Sequence, residues 1–238
     1  IADVHANAEK TLPGHILTGP IAVEGARPGH VLEVRIKDVQ LRQDWGYNAI
    51  RPLAGALPLE FDKVRIVHIP MDAKRGVGTL SWGAEVPLRP FFGVMGVAPP
   101  PAWGMITALA PRQHGGNIDN KELVAGTTLF LPVHVPGANF STGDGHGAQG
   151  DGEVCGVAVE YPTVTTIRVD LIKGWTIEWP RLEKEEFIMV RIPRLLAVAT
   201  RSGAWQETRF RNGETPPAEV DLGDRVALAL LALRAIGF

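Results

Sequence analysis

Asp119, Asp144, His146 and Glu153 fall in one glycine-rich window, Arg112 to Glu160, which holds three of the seven histidines and the only cysteine, Cys155. An Asp, Asp, His, Glu set offers hard carboxylate oxygens and one imidazole nitrogen. That mix suits Zn, Mn or a similar divalent ion and, with water, Ca. A shell that the protein leaves incomplete keeps room for a water, whose pKa the ion lowers, and for a carbonyl that it polarises. Asp144 and His146 in GDGH point the same way if that turn is extended. Glu153 follows as the chain enters the next strand, and Asp119 sits one strand earlier in HGGNID. Repeated glycines in GDGHGAQGDGE read as a shaped loop presenting side chains, since glycine permits positive φ and close backbone approach.

The same window admits a rival nucleophile. On a strand over Val154–Tyr161, residues 153, 155, 157 and 159 share a face, which sets Cys155 beside Glu153 with Lys121 in reach. The plainer reading is a free cysteine that packs. His114, before Gly115-Gly116-Asn117, is either an acid–base group next to oxyanion-binding N–H groups or an ordinary loop histidine. Gln149 hydrogen-bonds a substrate amide or ties its loop to itself. His134 reads as structural. Glu160, on the face opposite Glu153, is the weaker acid. Phe91, Phe92 and Trp103 lie among prolines and glycines in Leu88–Gly104, a stretch that is a core-packing loop or the apolar wall of a small-molecule pocket.

The elements that must position these groups are short. With 27 Gly and 19 Pro the chain is punctuated into strands and loops rather than long helices. Val31–Asp38 alternates with period two, as a half-buried strand does. Val64–Ile69, Thr127–Val135, Val154–Tyr161, Val164–Ile172 and Glu186–Ile192 read as further strands. Leu41–Phe61 reads as a long excursion. Tyr161-Pro162-Thr163 is short enough to join its two flanking strands as a hairpin. One helix closes the chain, capped by Asp221 or Asp224, with Val226, Leu230 and Leu233 on one face and Gly237 ending it. The sum is a mainly β fold, sandwich- or barrel-like, with a C-terminal helix and one domain over residues 1–238.

Lys and Arg total 24 against 26 Asp and Glu, so no field favours nucleic acid or an anionic membrane. No run approaches the ~20 apolar residues of a membrane-spanning helix. A single cysteine is compatible with a reducing cytoplasm.

The runs LTGPIAVEGARPGHVLEV, FFGVMGVAPP, HGGNIDNKEL and GTTLFLPVHVPGANFSTGDGHGAQGDGEVCGVAVE resemble, in order, the acetamidase/formamidase family. The resemblance spans about His15 to Lys173 and is weak beyond. It implies hydrolysis of short aliphatic amides to a carboxylate and ammonia, a mainly β fold, homo-oligomers (dimer or higher), and a divalent metal, Zn first, in some members. The HGGN-x-D match lands on His114, Asn117 and Asp119. The GD-x-H-x-x-Q-G-x-GE match lands on Asp144, His146, Gln149 and Glu153. On this expectation Asp119, Asp144, His146 and Glu153 hold the ion or activate water, and His114 moves a proton to the departing amine. Gln149 and Asn117 orient the amide, and Phe92 and Trp103 wall it. A non-catalytic or differently specific member and a thiol amidase using Cys155 are the alternatives.

Overall fold

The computed structural model describes residues 12, 14–151 and 153–185, and the backbone of three strands within 187–192, 195–200 and 205–208. The C-terminal helix and most of the opening segment lie outside the described residues. In chain order the strands are β1 (Leu17–Ile21), β2 (Val31–Leu41), β3 (Trp45–Ile50), β4 (Arg65–Asp72), β5 (Val77–Thr79) and β6 (Glu85–Pro87). Next come β7 (Phe91–Gly96), β8 (Gly115–Asn117), β9 (Thr128–Pro132), β10 (Phe140–Ala148) and β11 (Val159–Glu160). The last are β12 (Thr163–Ile172), β13 (Arg181–Glu183), β14 (Phe187–Ile192), β15 (Leu195–Thr200) and β16 (Trp205–Thr208).

They form two antiparallel sheets. One runs β6-β5-β4-β3-β11-β10-β7-β8, with β1 also on β10; the other runs β12-β2-β9-β13-β14-β15-β16. Leu32, Val34 and Ile36 of β2 and Leu129 and Leu131 of β9 meet Phe91, Phe92, Met95 and Phe140 of the first sheet in one buried core. This is the sandwich expected of alternating strands. In β2 the alternation holds to Ile36. A bulge opposite Thr166–Ile167 then shifts the register, so that Val39 rather than Asp38 returns to the core.

Four local expectations are corrected. The glycine-rich window is no loop up to Ala148: it is β10, paired with β7 along one edge and with β1 and then β11 along the other. Its glycines answer crowding, not a need to bend. A Cβ at Gly143 would fall 2.5 Å from the Ile16 carbonyl oxygen, and one at Gly145 2.4 Å from that of Tyr161. Leu88–Gly104 contains the fully buried β7, because a run such as FFGVMG suits a strand covered on both faces. The excursion at Leu41–Phe61 contains β3, paired with β4. Tyr161-Pro162-Thr163 makes no hairpin: β11 stays in the first sheet, β12 pairs with β2 in the second, and the dipeptide step crosses between them.

Gly145→Ala is expected to destabilise the fold by about 1–3 kcal/mol, because the methyl meets a main-chain carbonyl in the middle of a sheet. The midpoint of urea unfolding measures it. Gly150→Ala, where a Cβ meets nothing within 4 Å and φ is not positive, controls for the loss of a glycine without crowding.

Candidate active site

The site forms where one edge of β10 passes from β1 to β11. Leu17 pairs with Gly143 and Glu160 with His146, and Asp144 sits at the seam between them. Asp144 takes a φ of 58° there. From the opposite edge, β7 contributes Gly93, whose carbonyl accepts from the main-chain N–H groups of Ile118 and Asp119 at 2.9 and 3.1 Å. Those bonds fold the residues after β8 back over β7 and deliver the Asp119 carboxylate. A Cβ on Gly93 would lie 2.5 Å from Asp144 Oδ2, 2.7 Å from Asp119 Oδ1 and 2.9 Å from His146 Cε1. The groups converge because that side chain is missing.

The result is one cluster. Single donor atoms of Asp119, Asp144 and His146 lie within 4.8 Å of one another, as do those of His146, Glu153 and Glu160. His146 Nε2 stands 3.4 Å from Asp144 Oδ2 and 3.6 Å from Glu160 Oε1, and it makes no hydrogen bond although the side chain is 1% exposed. Its Nδ1 contacts Gln149 Oε1 at 2.9 Å. Phe91 packs edge-on to the ring, with centroids 5.0 Å apart.

The electrostatics follow from crowding. Burial opposes a charge on His146, but the adjacent Asp144 carboxylate and the charges of Glu160 and Asp119 outweigh it and hold the ring up to about 9. Burial, then repulsion from Asp119, pushes Glu153 up to about 7 against the pull of His146. Burial is also the main cause that lifts Glu160 to about 7. For Asp144 burial works upward, yet His146 and His15 overcome it and its pKa is lowered.

Two participants are ones the sequence pattern missed. Glu160 is in the cluster, not on an opposite face. Val154–Cys155 is a turn, Glu153 has a φ of 45°, and the strand is only Val159–Glu160, so counting in twos from Glu153 fails. His15, just before β1, places Nε2 3.6 Å from Asp144 Oδ2; nothing in its local sequence signals that. Tyr47 is the cross-strand neighbour of Glu160, and burial, then that carboxylate, raises its pKa.

Other expected site residues stand elsewhere. His114 lies against Gly116, whose partner on β7 is Met95, two residues from Gly93, and is edge-on to Trp103 at 6.2 Å. Burial, then His134 and Arg112, lowers it to about 4, so it is a neutral ring. Trp103 carries the Arg112 guanidinium 5.4 Å over its ring. Asn117 Nδ2 donates to the Leu109 carbonyl at 3.5 Å. Phe92 belongs to the core between the sheets. The Cys155 thiol donates to the Val157 carbonyl at 3.0 Å, and Asn48 Nδ2 contacts its sulfur at 3.3 Å. Lys121, the cation expected near that thiol, pairs with Asp151 at 2.8 Å.

Residues 3–107 and 102–192 match the Acetamidase/Formamidase family. A formamidase from Methylophilus methylotrophus is 31% identical over 212 residues, covering 67% of this chain and 52% of its own. Among solved structures, an acetamidase from Bacillus halodurans superposes with a TM-score of 0.67 at 38% identity, covering 73% of this chain and 57% of its own. An acetamidase from Yersinia enterocolitica gives 0.67 at 36% identity, covering 73% and 55%. The chain spans about half the length of the curated relatives it matches. With its motifs in order and its sheets superposing on those enzymes, the chain belongs to the acetamidase/formamidase family.

Proposed function

We propose that this chain carries the site of an amidohydrolase for short linear amides, in which a divalent cation, Zn first and Mn or Ca as alternatives, sits on Asp119, Asp144 and His146. The observation that carries the reading is the buried His146 Nε2, which has no hydrogen bond and faces carboxylate oxygens at 3.4 and 3.6 Å. Those gaps are long for hydrogen bonds, yet donors of one tetrahedral zinc ion stand roughly 3.4 Å apart. Backbone strain supports it too. Asp119, Asp144 and Glu153 are three of the six positive-φ residues other than glycine among the described residues. Such strain concentrates at functional sites.

A bound divalent cation supplies acidity to a ligated water and polarises an amide carbonyl. The remaining work falls to side chains. Glu153 and Glu160 titrate near neutrality, so either can take a proton at working pH and return it. Glu153 accepts the proton of the water whose oxygen bonds to the amide carbon. The same carboxyl then protonates the nitrogen as the C–N bond breaks and ammonia leaves. Gly93 keeps the floor open. His114 has no part in this scheme, being a neutral ring beside Trp103 and Arg112. Homo-oligomeric assembly belongs to the same reading. In the connection from β3 to β4, Leu53, Leu59 and Val64 are 77%, 87% and 65% exposed, an apolar surface of the kind that marks interfaces.

Ammonia release from formamide and acetamide is expected to fall at least 100-fold in Glu153→Gln with the fold kept, and to vanish on chelation and return with Zn. Undiminished turnover in that variant, or indifference to chelators, refutes the scheme. Zinc uptake at pH 7 is expected to release at least one proton. The cation must displace the proton that His146, held up to about 9, still carries at that pH. Affinity therefore weakens as pH falls. Calorimetry in two buffers of different ionisation enthalpy counts the protons, and a count of zero contradicts the ligand assignment. Leu59→Asp with Val64→Asp is expected to lower the mass seen by light scattering.

A further inference from the structure

Gln149 spends both ends of its amide inside the protein. Its Nε2 lies 2.7 Å from the main-chain carbonyl oxygen of Asp119, and its Oε1 lies 2.9 Å from His146 Nδ1. A carbonyl only accepts, so the amide NH2 must be the end that faces Asp119. The oxygen is thereby turned to the imidazole, and it can be satisfied only if Nδ1 bears a hydrogen. The acceptor at the far end decides the orientation of the amide. Both ends of the amide are thus committed within the protein, with one N–H and one oxygen lone pair to spare.

The structure assigns Gln149 as a positioning residue that locks His146 in the Nδ1–H tautomer and so aims the Nε2 lone pair at the gap between Asp144 and Glu160. One amide sets two things at once. It fixes the ring, and through the Asp119 carbonyl it fixes the backbone that carries the Asp119 carboxylate. Both ends of the proposed ligand set, β10 and the segment after β8, are thus tied by a side chain that is not itself a donor to the ion. Outer partners of this kind typically matter 10–100-fold in metal affinity. Without it, the carboxylates at 3.4 and 3.6 Å from Nε2 draw the single proton of a neutral ring to that nitrogen, and the lone pair turns away from them.

The inference rests on the amidohydrolase reading for its purpose but not for its truth, and the experiment separates the two. Long-range proton–nitrogen correlation spectra of the 15N-labelled chain, free of metal and at pH 10, report which ring nitrogen of His146 is protonated. The expected result is Nδ1–H in the wild type and in Gln149→Glu, whose carboxylate still accepts from the ring, and Nε2–H in Gln149→Met. Competition with a chromophoric chelator should show Zn2+ bound 10–100-fold more weakly by Gln149→Met. An Nε2–H ring in the wild type overturns the assignment and needs no variant to fold. So does an unchanged tautomer in folded Gln149→Met accompanied by a raised KM, the mark of a substrate-orienting amide. If no amide is hydrolysed while Nδ1–H is observed, the amidohydrolase reading fails and this assignment stands.

Discussion

Everything at this site depends on one repulsion being held in check. Asp119, Asp144, Glu153 and Glu160 press their carboxyl groups around a single buried imidazole. Two carboxylates in a desolvated space raise each other's pKa; four do so more, unless a positive charge stands among them. In the metal-free protein that charge is the His146 proton. The raised pKa values of His146, Glu153 and Glu160 share a sign, each group holding its proton more firmly folded than unfolded. Their contribution to stability is therefore fullest in acid. For the two glutamates it drains as pH rises from about 4.5 through 7, and for the histidine from 6.5 through 9. At neutral pH the two glutamates have lost most of their share, while His146 and Asp144, whose pKa is lowered, still favour the fold. A divalent cation among these oxygens would replace the single charge of the His146 proton with a double one and so favour the ionised carboxylates.

The sheets are built for this. The site rests on β7 and β10, two neighbouring strands whose inner residues Phe91, Met95 and Phe140 are buried in the core with β2 and β9. Strained residues need surroundings that over-determine them. Asp144, at a φ of 58°, is flanked by ladder partners at Gly143 and Gly145, and Asp119, at 46°, is pinned by the Gly93 carbonyl. Glycines give the room. Gly93 lets the carboxylates approach, and Gly143 and Gly145 let neighbouring backbone close on β10 where any side chain would strike a carbonyl.

What the sequence revealed and what it concealed divide along a physical line. Period two survives from Leu32 to Ile36 because the face turned to the other sheet has no other way to sort its side chains, whereas Val31 is buried with Phe130 and Ile177. The convergence of Asp144 and His146 was legible for the same reason, both lying on one short strand. Glu160 was hidden because parity carries information only along unbroken strand, and the turn at 154–155 resets it. His15 was hidden because its approach to Asp144 depends on the pairing of β1 with β10, a contact that no local pattern encodes. Gly93 is the hardest kind to foresee. Its role is the absence of atoms, and only the positions of Asp119, Asp144 and His146 around it give that absence meaning. His114 shows how a shared motif need not mean a shared place. It shares a motif with Asp119, yet it faces Trp103, since the chain from Arg112 to Asn117 turns tightly through an Arg112–Gly115 bridge.

The donor set also bears on which cation the site would favour. Carboxylate oxygens alone suit Mg or Ca, and thiolates select softer ions; here Cys155 is turned toward Asn48 and the Val157 carbonyl. The imidazole decides the matter, provided its lone pair faces the oxygens. A ring free to flip its tautomer would present N–H to the ion and leave an oxygen-only shell, which suits Ca better than Zn. A ring held by Gln149 presents the nitrogen lone pair once its second proton has left. Any preference of the site for a transition ion would therefore reside as much in an uncharged amide beside the ring as in the carboxylates that outnumber it.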